Sequence, residues 1–179
     1  IIFHQAAISD TTVFDQTKVL QTNLNTFKDF IELSIDLNAK LIYASSASVY
    51  GDAKSPQTVD KDEEPKNPYA FSKLMMDKLV KKYYDKAHLV GLRYFNVYGK
   101  GEFYKNKTAS MVLQFGHQIL AGKNPCLFEG SDQIYRDFTY IKDVISANLI
   151  ALDSKCGVYN VGSGKARTFQ DIVDILQKS

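Results

Sequence analysis

The sequence predicts an α/β fold built on a doubly wound parallel sheet, with a smaller α/β region attached, and three observations carry that prediction. Short apolar runs at Ile1–Ala7, Lys40–Ala44 and His88–Phe95 read as strands buried on both faces. Long amphipathic segments separate them, giving the β-α-β-α order of a parallel sheet covered on both sides. Each run ends in small or polar residues, Ala6-Ala7, Ser45-Ser46 and Asn96-Val97-Tyr98, and ligands in such sheets bind beyond the carboxyl ends of the strands.

The elements follow in order. Thr17 to Asn38 carries Val19, Leu20, Leu24, Phe27, Phe30, Ile31 and Leu33 at helical spacing and reads as one long amphipathic helix. Gly51 to Lys66 is polar, contains two prolines and reads as a loop. Pro68 to Tyr84 is the next helix, with Pro68 setting its entry. After Gly99 a lysine-rich loop leads to a helix over Thr108–Ala121, stopped by Gly122. Cys126–Ser131 and Tyr135–Ile141 are strand-like, Asp143–Leu152 helical, and Val158–Gly162 another strand before a helix over Phe169–Gln177 that shows no obvious cap. The first strand has no approach sequence before it, and no Gly-x-Gly-x-x-Gly turn follows any strand. The chain therefore reads as part of a larger domain, with its N-terminal portion missing and its C-terminal end incomplete.

Composition narrows the function classes. A net charge of +2, with basic residues in no stripe, argues against nucleic acid. No apolar run approaches the ~18 residues of a membrane span, and no signal peptide precedes the fold. The 2 cysteines, Cys126 and Cys156, lack ligand spacing and read as reduced thiols of a cytoplasmic protein. The 3 histidines, His4, His88 and His117, are isolated and form no metal site.

The chemistry concentrates in Asn67-Pro68-Tyr69-Ala70-Phe71-Ser72-Lys73, downstream of Tyr43-Ala44-Ser45-Ser46-Ala47-Ser48. Tyr69 and Lys73, at i and i+4 of a helix, share one face. An ammonium beside a phenol favours the phenolate, which predicts a Tyr69 pKa pulled below its ordinary value of about 10. A tyrosine so tuned exchanges a proton with a sugar hydroxyl while a nicotinamide takes or returns hydride. Tyr-x-x-x-Lys by itself is a weak motif; Ser46 and Pro68 give it its context.

With these residues in place, the chain resembles the extended short-chain dehydrogenase/reductase family of nucleotide-sugar enzymes. Beyond the Ser46 and Tyr69–Lys73 segments, the resemblance rests on Leu92-Arg93-Tyr94-Phe95-Asn96-Val97-Tyr98-Gly99, on Arg136-Asp137-Phe138-Thr139-Tyr140-Ile141 with Asp143, and on Glu102-Phe103-Tyr104-Lys105 leading to Ala109-Ser110. It implies a Rossmann-type cofactor domain over residues 1–99 and 137–152, and part of a substrate domain over 100–136 and 153–179. It further implies bound NADP, with NAD as the alternative, a nucleotide-diphosphate sugar substrate, and a homo-oligomer. Two departures stand out: the family's phosphate-binding turn is not in this chain, and Lys107 stands where the family pattern has Ser.

Roles follow from the resemblance. The resemblance implies inversion of a sugar carbon by transient oxidation with two proton-transferring groups, one for each face; Tyr69 is one, and Lys105 matches the second base. To accept a proton Lys105 must be neutral, which calls for partial burial or a neighbouring cation. Ser46 would hydrogen-bond the reacting oxygen, and Lys73 would hold the nicotinamide ribose. Gln5, Ala6, Ala7, Ser9, Asn23, Lys73, Val97 and Lys105 would lie along the cofactor. Ser46, Asn96, Lys107, Gln114, Phe128, Glu129, Gly130, Ser131 and Arg136 would meet the substrate, Arg136 gripping its diphosphate bidentately. Simpler readings stay open: Arg136 paired with Asp137 or Asp143, Phe128 in the core, Lys105 a solvated loop lysine. A UDP-hexose 4-epimerase would share all but the Lys105 loop and the Phe128–Ser131 segment. A 4,6-dehydratase is disfavoured by Ala47-Ser48, where elimination wants an Asp-Glu pair. A silent nucleotide-binding regulator is disfavoured by the intact Ser46, Tyr69 and Lys73.

Overall fold

Residues 1–178 are described by a computed structural model. The chain forms two units, Ile1–Tyr94 with Ser146–Val161, and Phe95–Ile145 with Gly162 onward.

In the first unit, β1 (Ile2–His4), β2 (Leu41–Ser46), β3 (Leu89–Tyr94) and β6 (Gly157–Val161) form a four-stranded sheet in the order β1-β2-β3-β6, every pair parallel. The central strands carry Leu41, Ile42, Tyr43, Leu89, Val90 and Leu92, all buried, as expected of a sheet covered on both faces. One face packs on Phe27 and Ile31 of α2 (Thr26–Asp36) and on Met76 and Val80 of α3 (Pro68–Val80). The other packs on Ala147 and Ala151. At ~1.5–3 kcal/mol for each large apolar side chain withdrawn from water, these layers dominate the unit's stability. Because the strands run parallel, the ends that follow His4, Ser46 and Tyr94 share one edge.

The expected long helix forms in three pieces, α1 (Gln16–Leu20), a π-helical turn Gln21–Asn25, and α2. The π turn rotates Asn23 inward, where it is 1% exposed. α3 begins at Pro68 as expected, and the Asn67 side chain caps it by accepting from the Ala70 N–H.

In the second unit, β4 (Asn96–Tyr98) pairs parallel with β5 (Tyr135–Tyr140), which pairs antiparallel with β7 (Ala166–Thr168). Phe115 of α4 (Met111–Leu120) meets Phe169, Ile172 and Val173 of α6 (Phe169–Gln177) in its core. The helix α5 (Ile141–Ile150) starts in this unit and ends in the first.

Four expectations need correction. Asn96–Tyr98 is a strand, not a strand-end loop. Cys126–Ser131 is not a strand: Gly130 at φ +77° makes a turn, and the Ser131 N–H donates to the Phe128 carbonyl. α6 is capped after all, with Thr168 and Asp171 bonding each other's backbone N–H in a capping box. The expected domain limits also shift, since 157–161 completes the first sheet whereas 137–145 stays with the second unit.

Candidate active site

Ser46 ends β2 and caps a 3-10 turn over Ala47–Tyr50, its hydroxyl accepting from the Ser48 N–H and hydroxyl at 3.2 and 2.9 Å. Tyr69 lies in the first turn of α3, its phenol within interaction range of the Ser46 hydroxyl. Lys73, one turn on, is 1% exposed; its Nζ donates to the Ala44 carbonyl at 2.7 Å and sits 5.9 Å from the Tyr69 ring centre. Ser46, Tyr69 and Lys73 therefore converge at the carboxyl edge of the first sheet.

The electrostatics differ from expectation. Burial raises the Tyr69 pKa above its usual value, and the Ser46 hydroxyl only partly opposes this. The Lys73 ammonium, 5.9 Å from the ring centre, does not reverse this rise. Burial lowers the Lys73 pKa to about 8, with the Asp77 carboxylate opposing the fall.

Asp77 belongs to a buried charge network that the sequence reading missed. It accepts from Tyr43 at 2.9 Å, Ser45 at 2.8 Å and the Arg93 Nε at 2.8 Å. Arg93 also pairs with Glu63 at 2.6 Å and stacks over the Tyr50 ring. Gly91 makes room for this arrangement, since a Cβ there would come within 2.4 Å of the Tyr43 hydroxyl. The available signal was Asp77 at i+4 from Lys73, which puts a carboxylate on the same helix face.

The expected cofactor residues Gln5, Ala6, Ala7 and Ser9 follow β1 at the same edge. Asn23 does not face open space: its Oδ1 accepts from the Ile8 N–H at 2.8 Å, and its Nδ2 donates to the Ile8 carbonyl and the Ser72 hydroxyl. The Ser72 hydroxyl donates on to the Tyr69 carbonyl at 2.7 Å. Asn23 thus ties the Gln5–Ser9 segment to the Tyr69 turn. Gln5 joins Tyr94 and Asn148 in a closed ring of hydrogen bonds of 2.8–3.2 Å, another grouping no local pattern announces.

The other expected residues lie in the second unit. Lys105 and Lys107 occupy an exposed 3-10 turn over Phe103–Thr108, so the burial expected of Lys105 is not met within its unit. The Gln114 side chain donates to the Ala109 carbonyl at 2.8 Å and thereby reaches this loop. Phe128 is half-exposed and edge-on to Phe169, neither fully core nor free. Ser131 is buried, its carbonyl accepting from the Phe169 N–H, while Glu129 is exposed beside the Gly130 turn. Asn96 and Val97 lie on β4 against Phe138 and Thr139 of β5. Arg136 is exposed on β5 and donates to the Tyr135 carbonyl, whereas Asp137 instead receives the Ser163 and Gly164 N–H groups.

Among the described residues, no helix is long and apolar enough to cross a membrane. A profile of the NAD dependent epimerase/dehydratase family matches residues 1–162. The chain is 40% identical over 184 aligned residues to an ADP-L-glycero-D-manno-heptose-6-epimerase of Brachyspira hyodysenteriae, covering 99% of this chain and 58% of that protein. The crystal structure of the Helicobacter pylori enzyme of the same name is 52% identical, with a TM-score of 0.95 over 98% of this chain and 57% of that one. A Thermus thermophilus UDP-glucose 4-epimerase complexed with NAD is 28% identical, with a TM-score of 0.84 over 98% and 60%. The chain thus spans under two thirds of the length of these relatives.

Proposed function

The chain belongs to the NAD dependent epimerase/dehydratase family, and from that premise we propose that it supplies catalytic machinery for inverting C6 of ADP-glycero-manno-heptose, a step of lipopolysaccharide inner-core synthesis. The observation that carries the chemistry is the convergence of Ser46, Tyr69 and buried Lys73. The choice of sugar is supported by the 52% identity to the heptose epimerase against 28% to the 4-epimerase.

NADP suits this edge, where the buried Lys73 and a fixed segment after β1 stand beside the phenol. When bound, it supplies a reversible hydride acceptor, so that the sugar carbon passes through the ketone level. Gln5, Ala6, Ala7, Ser9, Lys73, Val97 and Lys105 would hold it. Tyr69 exchanges the hydroxyl proton on one face of the carbon, and Ser46 holds the reacting oxygen. That exchange requires the Tyr69 phenolate, and therefore a cationic group, such as an oxidised nicotinamide would supply, to offset the burial that raises its pKa. Lys73 keeps positive charge at the strand edge and fixes the helix against Ala44. Lys105 exchanges the proton on the opposite face. Arg136 and Asn96 bind the diphosphate, while Lys107, Gln114 and Phe128–Ser131 receive the rest of the nucleotide sugar. Most of the cofactor residues fall in 1–94 with 146–161, and most of the substrate residues in 95–145. Free Cys126 and Cys156 suit a cytoplasmic enzyme, and the full protein works as a homo-oligomer.

A one-base 4-epimerase is the competing reading, and the exposure of Lys105 is the observation that favours it. The deciding experiment offers the protein, with any natural flanking sequence, ADP-heptose and UDP-glucose in parallel with NADP. The proposal expects NMR to show inversion at C6 of the heptose alone; inversion of UDP-glucose at C4 alone would overturn it.

A further inference from the structure

One side chain fastens both ends of the turn that carries Lys105. The Glu102 Oε1 accepts from the Gly99 N–H at 3.0 Å and the Ser110 hydroxyl at 2.9 Å, and Oε2 accepts from the Ser110 N–H at 2.7 Å. One carboxylate thus fastens both ends of the 99–110 segment. Ser110 in turn caps α4, accepting from the Leu113 N–H.

Between these anchors the turn is internally wired. The Lys105 N–H donates to the Glu102 carbonyl at 2.9 Å, and the Lys105 carbonyl accepts from the Thr108 hydroxyl at 2.8 Å. Asn106 kinks at φ 50°, a conformation a non-glycine residue holds only when its surroundings enforce it. With Lys105 exposed, its backbone placement rests on these bonds and not on core packing. A carboxylate accepting N–H and O–H groups makes roughly twice as strong a hydrogen bond as a neutral acceptor, so Glu102 is the strongest element of the clamp.

We propose that Glu102, acting with Ser110, is the positioning residue that presents Lys105 for catalysis. The inference rests on Lys105 being the second base. Glu102 itself touches no reacting atom; it fixes the turn from which the lysine extends. A misplacement of about 1 Å in a catalytic group costs up to about 100-fold in rate.

The test compares Glu102→Gln, Lys105→Ala and the double variant in the protein with any natural flanking sequence. Turnover of ADP-heptose is measured alongside amide hydrogen exchange across residues 99–110. Glu102→Gln should lower kcat about 10- to 100-fold with KM within about threefold, and should speed exchange at Gly99 and Ser110. Because Glu102 acts through Lys105, the double variant should be no slower than Lys105→Ala. Unchanged kcat in Glu102→Gln, or losses that multiply in the double variant, would overturn the proposal. If Lys105→Ala keeps full turnover, the second-base reading fails by itself, and exchange alone then judges the clamp: faster exchange upholds it and unchanged exchange removes it.

Discussion

At the scale of single residues, the account turns on Tyr69 and Lys73. Tyr69→Phe removes only the oxygen proposed to transfer the proton, so turnover should fall by roughly 10²–10⁴-fold while calorimetry finds nucleotide binding nearly intact; a comparable loss of binding would contradict the role. Lys73 makes a sharper physical prediction. Its folded pKa of about 8 lies below its ordinary 10.5, so between those values the unfolded chain still holds a proton that the native chain has released. Stability should therefore rise with pH across that window, and the cost of the buried charge is fully present below it. Buried Tyr43, Tyr69, Tyr84 and Tyr94 have raised pKa values and act in the opposite sense near pH 10, so the test is the difference between two proteins. Urea midpoints from pH 8 to 10 should climb more steeply, or fall less, in the wild type than in Lys73→Met; equal slopes in both would contradict the burial argument. Ser46, Tyr69, Lys73 and the Asn67-Pro68 helix start were legible because each follows from local spacing and capping. The direction of the Tyr69 shift was not, since desolvation depends on the whole fold and outweighed the charge that the motif places nearby.

Among the elements, α3 is held by charge as much as by packing. Asp77 on α3, Ser45 and Tyr43 on β2, Arg93 on β3 and Glu63 on the loop that leads into α3 form one connected set. Asp77→Ala would leave the Arg93 guanidinium buried without its main partner, at a cost of ~3–5 kcal/mol. Urea denaturation checks this, and a loss below ~1 kcal/mol would place the network in the class of screened surface pairs. Helical periodicity located α2, α3, α4 and α6, but it passed smoothly through Gln21–Asn25, where the backbone widens into a π turn. Asn23 there is a polar residue on an apolar face, and its three bonds to Ile8 and Ser72 explain why the turn is tolerated. Cys126–Ser131 misled because an apolar run beside a glycine reads equally as strand or turn.

For the whole molecule, strand order was the least legible feature. The chain leaves the first sheet after Tyr94, builds β4 and β5 of a second sheet, returns for β6, and departs again for β7. Nothing local in Gly157–Val161 says which sheet it joins; the parallel register with β3 decides it. This crossing puts Ser46, Tyr69 and Lys73 in one unit, and Lys105, Gln114, Phe128–Ser131 and Arg136 in the other. The proposed hydride route makes its own isotopic prediction. Hydride removed from the sugar carbon goes to the nicotinamide and returns without meeting solvent, whereas inversion by deprotonation takes its new hydrogen from water. Epimerisation of ADP-heptose is therefore best followed by NMR in D2O. The account predicts inverted product with no solvent deuterium at C6; deuterium incorporated at C6 in step with inversion would contradict it.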